Sequence, residues 1–310
     1  MADIRLDDTR FQITVGEGDL SSLTRSIKLL GLLCPPTVWP NDSGFVPVSG
    51  FRRIQAVRSL LEIEKIDCRV MPVDSETACA TQAVADNAFA RELIPAEQVR
   101  AVKLLGRYMV PAQIARHSSG IFNRQLNPTF ISELLAVSAL PPRAITLLEN
   151  GTLALKPARR LTAYDRETID VLMDIFSRIK ASSGKQLDII TCFTEVCRKE
   201  QIPPESIFYE NGLQAILTRD TEDLGQKGDQ VRQYLARRRF PNLEQARQKA
   251  KSHLGRLLSE KTFRFHLPDN FESMTYGVSF EFTSMDEFKN QAQALTSLAD
   301  HPDLKGILQR

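Results

Sequence analysis

The chain has 310 residues, 42% of them hydrophobic and 25% charged, with a formal net charge of +2, an ordinary globular composition with room for two or three domains. No apolar run approaches the roughly 18 residues that cross a bilayer, and the opening MADIRLDDTR lacks the basic and apolar regions of a signal peptide, so a cytoplasmic chain with no membrane partner is expected. Cys34, Cys68, Cys79, Cys192 and Cys197 are scattered and odd in number, which excludes a disulfide framework and a spaced zinc site.

Residues 1–98 alternate strand-like and helix-like patterns. Residues 11–15 read as a strand, and 20–30 as a helix with Leu23, Ile27 and Leu30 on one side. Pro35-Pro36 ends that helix, Val38-Trp39 starts a strand, Asn41-Asp42-Ser43-Gly44 makes a turn, and 45–48 return as a strand. A helix over 53–64, a strand over 66–73 and an alanine-rich helix over 75–90 complete a small α+β unit. Its most informative stretch is GFVPVSGFRRIQAVR, residues 44–58. The Ser49-Gly50 turn lets backbone N–H groups approach an anion, and a helix N-terminus with Arg52 and Arg53 supplies positive charge, as a phosphate site requires. The alternative is an arginine pair that is merely solvated or ion-paired.

From Pro95 onward the pattern is almost wholly helical. Helices are expected over 96–109, over 111–117 up to the breaker run Ser118-Ser119-Gly120, and from the Asn127-Pro128 cap to about Val137, before Pro141-Pro142. Two more follow near 143–149 and 156–164. A short helix, a connection and a capped second helix describe a helix-turn-helix, although the connection 118–126 exceeds the usual turn of about 3 to 4 residues, so either the loop is enlarged or the second helix starts earlier, near Asn123. Between Val99 and Tyr164 nine basic residues stand against two acidic ones, a local excess of seven, which suits a phosphate-contacting module and is also compatible with an acidic protein partner. Thr129, Ser132 and Glu133 would project from the second helix toward base edges, with Arg124, Gln125 and Arg116 reaching phosphate or a groove edge. Ile131, Leu134, Leu135 and Val137 are core by spacing. His117 is expected at a helix C-terminus, and no histidine has a catalytic partner motif.

Beyond Asp165, helices around 169–179, 187–198 and 206–217 form an extension, and 220–229 is a polar, glycine-containing linker candidate. A helix over 243–258, strands over 263–267 and 276–282 and a helix over 285–298 make a last small α/β unit. The expected segments are therefore 1–98, 99–164, 165–240 and 241–310, the last a candidate dimerisation module, the alternative being that the helix over 285–298 covers the two-stranded ribbon within one chain.

Four blocks in order resemble the ParB/RepB partition-protein family over about half the chain. Leu23, Ser26, Ile27 and Gly31 with Pro35 to Val38 are similar to the block that opens the ParB N-terminal domain. VSGFRRIQA, residues 48–56, is similar to the family's G-E-R-R-x-x-A phosphate loop. Asp86 to Arg91 with Pro95 and Glu97 is similar to its E-N-x-x-R...E block, and Ile114-Ala115 with residues 127–161 to its helix-turn-helix region. The resemblance implies a ParB/sulfiredoxin-like N-terminal domain followed by an all-helical DNA module. It implies a nucleoside triphosphate, CTP above others, held by Ser49, Gly50, Arg52, Arg53, Asn87 and Arg91, with Mg²⁺ near Asp86 and Asn87. The partners it implies are double-stranded DNA, a second copy in a homodimer and a partition ATPase, in a nucleoid- or plasmid-associated setting. Two departures stand out. Phe51 replaces the family's Glu and Asp86 is one methylene shorter than Glu, and since a phenylalanine accepts no proton, any nucleoside triphosphatase activity is slow at most. Asn87 and Arg91 also read as a helix-surface pair at i and i+4. The alternatives to a sequence-specific partition or mobile-element protein are a ParB-fold nucleotide-using enzyme, kinase- or nuclease-like, and a transcriptional regulator with a vestigial nucleotide site.

Overall fold

The computed structural model describes residues 4–14, 19–42, 44–60, 65–72, 75–220, 223–241, 252, 264–266, 276–298 and 304. Its N-terminal part comprises α1 (Ser21–Leu30), β1 (Thr37–Asn41), β2 (Gly44–Ser49), α2 (Phe51–Ser59), β3 (Arg69–Val70) and α3 (Glu76–Ala90). β1 and β2 form an antiparallel hairpin and β3 runs parallel to β1, so the sheet order is β2-β1-β3. Pro47, which has no N–H to give a ladder, sits in the edge strand β2. Of the strand expected over residues 11–15, the described residues 11–14 form none. Phe11 and Ile13 do alternate into the core, but β2 is instead met by a single parallel bridge from Ile4 to Phe45 and by Arg5 N–H donating to Phe45 O at 2.8 Å. Alternation predicted which side chains are buried and not which backbone pairs.

The helical part runs α4 (Pro95–Leu105), α5 (Pro111–Phe122), α6 (Pro128–Ser138), α7 (Pro142–Glu149), α8 (Leu155–Leu161), α9 (Arg166–Phe176), α10 (Ser183–Glu200), α11 (Pro204–Phe208), α12 (Asn211–Leu217) and α13 (Leu224–Arg239). α4, α5, α6, α7 and α11 open on proline, whose fixed φ suits the first helical position and whose missing N–H costs nothing there. One contiguous buried cluster extends from Phe11 to Leu235. The 98/99 boundary falls inside α4, which packs against α3, α6 and α7; it marks a change of architecture and not a break in the core. A smaller cluster of Ile27, Ala56 and Val57 joins α1 to α2.

Two expectations are corrected. Ser118-Ser119-Gly120 does not break the chain: α5 continues to Phe122, because the buried Ser118 hydroxyl donates to Ala115 O at 2.7 Å and accepts from Leu126 N–H at 2.9 Å. His117 consequently lies inside α5, exposed, and not at a helix end. The stretch 223–229, read as part of a linker, is the first half of α13. Asp223 caps it by accepting from Gln226 N–H at 2.8 Å, and Lys227, itself buried, donates to Leu217 O at 3.2 Å.

Toward the C-terminus β4 (Arg264–His266) and β5 (Gly277–Ser279) pair antiparallel, ahead of α14 (Met285–Leu298). The Phe288 ring of α14 stands 4.9 Å from Phe282 and 5.9 Å from Phe280, so this helix packs against the residues that follow the ribbon. The helix expected over 243–258 lies, but for residue 252, outside the described residues.

Candidate nucleotide and DNA interfaces

The phosphate-loop candidate is built at the β2-to-α2 turn. Gly50 is left-handed, with φ 82°, and its carbonyl accepts from Arg53 N–H at 2.9 Å and Ile54 N–H at 3.1 Å to start α2. A Cβ at this position would lie 2.8 Å from Pro36 Cβ and 3.0 Å from Arg53 Nη2, so the turn packs closely against Pro36 and only glycine fits there. Arg53 is fixed across the loop, its Nη1 donating to Cys34 O at 2.6 Å. Arg52 is exposed and its Nη2 donates to Asp19 O at 3.1 Å. Phe51, where the resemblance would place an acid, is buried in the core, which accounts for an apolar side chain there.

Ser49 and Asp86 are brought together. Ser49 Oγ donates to Asp86 Oδ2 at 2.5 Å, and Gln82 Nε2 donates to the other oxygen, Oδ1. Asn87 Nδ2 donates to Ala83 O at 2.8 Å on its own helix. Arg91 points elsewhere: its two terminal nitrogens grip Glu97 at 2.6 and 2.7 Å, a pairing that raises the guanidinium pKa. Glu97 is buried and also accepts from Ile94 N–H at 3.1 Å, holding the start of α4. Among the described residues no three His, Cys, Asp or Glu side chains converge as metal ligands.

α5 and α6, the pair expected to form a helix-turn-helix, are joined by residues 123–127, a shorter connection than expected from sequence because α5 runs on to Phe122. Asn123 closes α5 in the left-handed region, φ 54°, and Asn127 Oδ1 caps α6 by accepting from Phe130 N–H at 2.7 Å. Ile131, Leu134 and Val137 are buried while Thr129 and Ser132 face solvent near the start of the helix. Glu133 is half-buried and paired with Arg159 of α8, whose guanidinium lies 5.3 Å from the Phe130 ring centre. Arg124 Nη2 donates to Gln98 Oε1 at 2.7 Å, and Gln125 Nε2 to Ala115 O at 3.1 Å, so both tie the turn to the scaffold. Of the basic residues, Arg100 pairs with Glu149 and Arg143 with Asp174, whereas Lys103, Arg107, Arg116 and Lys156 are exposed with no ion pair among the described residues.

Gln82, Glu97 and Gln98 were not anticipated as partners. Glu97 carried a signal, as an acid in the first turn of a proline-started helix; the two glutamines carried none. No family model and no curated protein matches this chain. Two solved structures of the C-terminally truncated chromosome-partitioning protein ParB from Caulobacter crescentus are similar in part. The one complexed to the centromeric parS site is 19% identical with a TM-score of 0.36, over 60% of this chain and 93% of that chain. The one complexed with CTP-gamma-S is 22% identical with a TM-score of 0.26, over 53% of this chain and 90% of that chain.

Proposed function

We propose that the chain is a ParB-like, sequence-specific duplex-DNA-binding protein, with a nucleotide-responsive site at the β2-to-α2 turn. The observation that carries the reading is α6: its start is capped by Asn127, its inner face is buried, and Thr129 and Ser132 stand clear on the outer one. A helix so presented offers its first two turns to base edges in a major groove, and the exposed cations around it supply the sequence-independent attraction to phosphates. Titrating the full chain with duplexes selected from a random pool tests the reading. Thr129→Ala or Ser132→Ala should shift site preference by about 1 to 3 kcal/mol per lost base contact; a chain that binds no duplex refutes it.

The left-handed Gly50 turn at the start of α2, with Arg53 fixed beside it and Arg52 exposed, supports a phosphate-binding reading. A CTP-type nucleotide is the proposed ligand, with Arg52 and Arg53 on its phosphates. When bound, Mg²⁺ would neutralise phosphate charge; Asp86, with lone pairs beyond the two that Ser49 and Gln82 use, and Asn87 Oδ1 are the residues to hold it, directly or through water. Since Phe51 is buried and accepts no proton, the nucleotide acts as a bound effector with slow turnover at most. A homodimer formed through residues 241–310 completes the proposal, because a helix-turn-helix commonly reads two half-sites through a two-fold axis. Deleting that segment and measuring mass by light scattering should convert a dimer to a monomer.

A further inference from the structure

Resting on the DNA-binding reading above, we propose that the cleft between α8, the start of α9 and the C-terminal half of α10 is a second contact for the phosphodiester backbone of duplex DNA. This gives the extension 165–240 a part in binding. The cleft is lined by Arg160, Tyr164, Asp165, Thr194, Cys197 and Arg198, among others. Arg160 and Arg198 are exposed; neither forms an ion pair or hydrogen bond among the described residues, and Arg160 lies 5.7 Å from the Tyr164 ring centre.

The acids nearby are already answered from within. Glu195 is held by Arg239 at 2.5 Å, and Glu200, two residues beyond Arg198, is gripped by Arg238 at 2.5 and 2.9 Å. Asp165 serves the α9 cap, accepting from Thr168 N–H at 2.8 Å. Burial pushes the Cys197 thiol up to about 11, so it adds no negative charge at neutral pH. The α13 arginines thus cancel the acids of α10 and leave Arg160, Arg198 and the exposed Lys199 against the single carboxylate of Asp165, a local excess of positive charge. Tyr164 Oη accepts weakly from Thr194 Oγ1 at 3.4 Å, and its own proton has no acceptor among the described residues. Two guanidinium groups and a free phenol suit phosphate oxygens.

Position selects DNA over an acidic polypeptide as the ligand. Arg159, the neighbour of Arg160, pairs with Glu133 on α6, one residue from the exposed Ser132. The cleft therefore lies one helix away from the reading face, where the flank of a duplex docked on α6 would run.

The test compares full-length wild type with the Arg160→Ala/Arg198→Ala double variant and its Arg160→Lys/Arg198→Lys counterpart. Each is titrated across a salt series with duplexes carrying a selected site, with flanks either trimmed or extended by about ten base pairs, one helical turn. The alanine variant should lose about 1.8 from the slope of log affinity against log salt, roughly 0.9 per phosphate. It should also lose the gain from long flanks and keep the site preference, while the lysine variant retains most of the slope. An alanine variant with wild-type slope and flank dependence, or lysine and alanine variants that behave alike, overturns the inference alone. No duplex binding by wild type overturns it together with the helix-turn-helix reading.

Discussion

Gly50 does at residue scale what no other residue can do at that place. Gly50→Ala would force an L side chain into the left-handed region, a cost of about 1 to 2 kcal/mol, and would push its Cβ against Pro36 and Arg53. The denaturant midpoint should fall by that much or more, and binding of inorganic triphosphate should fall with it. Arg91 and Glu97 give an asymmetric pair: the carboxylate is buried, its side chain 3% exposed, and the guanidinium is 48% exposed. Arg91→Ala therefore strands a buried charge, and its cost should approach the roughly 3 to 5 kcal/mol of a broken buried pair. Glu97→Gln leaves the arginine in water and should cost less. Chemical denaturation of both variants checks the order; equal losses would contradict it. The asymmetry also means that a weak-binding Arg91 variant must be shown to be folded before its loss is ascribed to phosphate contact. The Gly50 turn that starts α2, with Arg52 and Arg53 behind it, was legible in the sequence because a strand-to-helix turn is local. The Arg124 to Gln98 and Ser49 to Asp86 bonds join residues 26 and 37 positions apart, and no local pattern encodes them.

The elements show why helices are easier to find than their ends. Starts are written in single residues, as the prolines of α4, α5 and α6 and the Asn127 cap attest. Ends and continuations depend on tertiary partners. Ser118 reads as a breaker because its hydroxyl competes with backbone bonds; in the fold that same hydroxyl receives Leu126 N–H and sets the turn before α6. Ser118→Ala should cost about 1 to 3 kcal/mol, the penalty for a buried donor left without a partner, and loosen the turn. Amide exchange at Leu126 should speed up relative to the α4 core. Gly228 was read as linker for its lack of a side chain. It is in fact a point where α13 packs closely on the backbone before α10, and an added Cβ would sit 2.5 Å from Lys180 O. Gly228→Ala should lower stability by about 1 to 3 kcal/mol through overpacking, with exchange protection lost first along α13. Protection unchanged there would mean that the helix is docked by other contacts.

For the whole molecule, the sequence suggests separate units, an N-terminal α+β domain and then helical modules, whereas one contiguous buried cluster runs from Phe11 to Leu235. Composition and periodicity report the change of architecture near residue 95, but continuity of packing across α4 is a three-dimensional property. The two views make different predictions about unfolding. The chain contains one tryptophan, Trp39 in β1, whose ring meets Phe11 edge-on at 6.3 Å and packs on that shared core. Its fluorescence reports on the sheet, while far-UV circular dichroism reports chiefly on α4 to α13. If α4 welds the two parts, a urea titration should give one midpoint and one slope by both probes, as coincident transitions mark a cooperative unit. A tryptophan transition that precedes the loss of helix would mean that the boundary near residue 98 separates independently folding units, and that the proposed nucleotide site can open without disturbing α6. Coincidence carries the opposite consequence: any change that a nucleotide makes at Gly50 is transmitted through packed side chains of α3 and α4 toward α6.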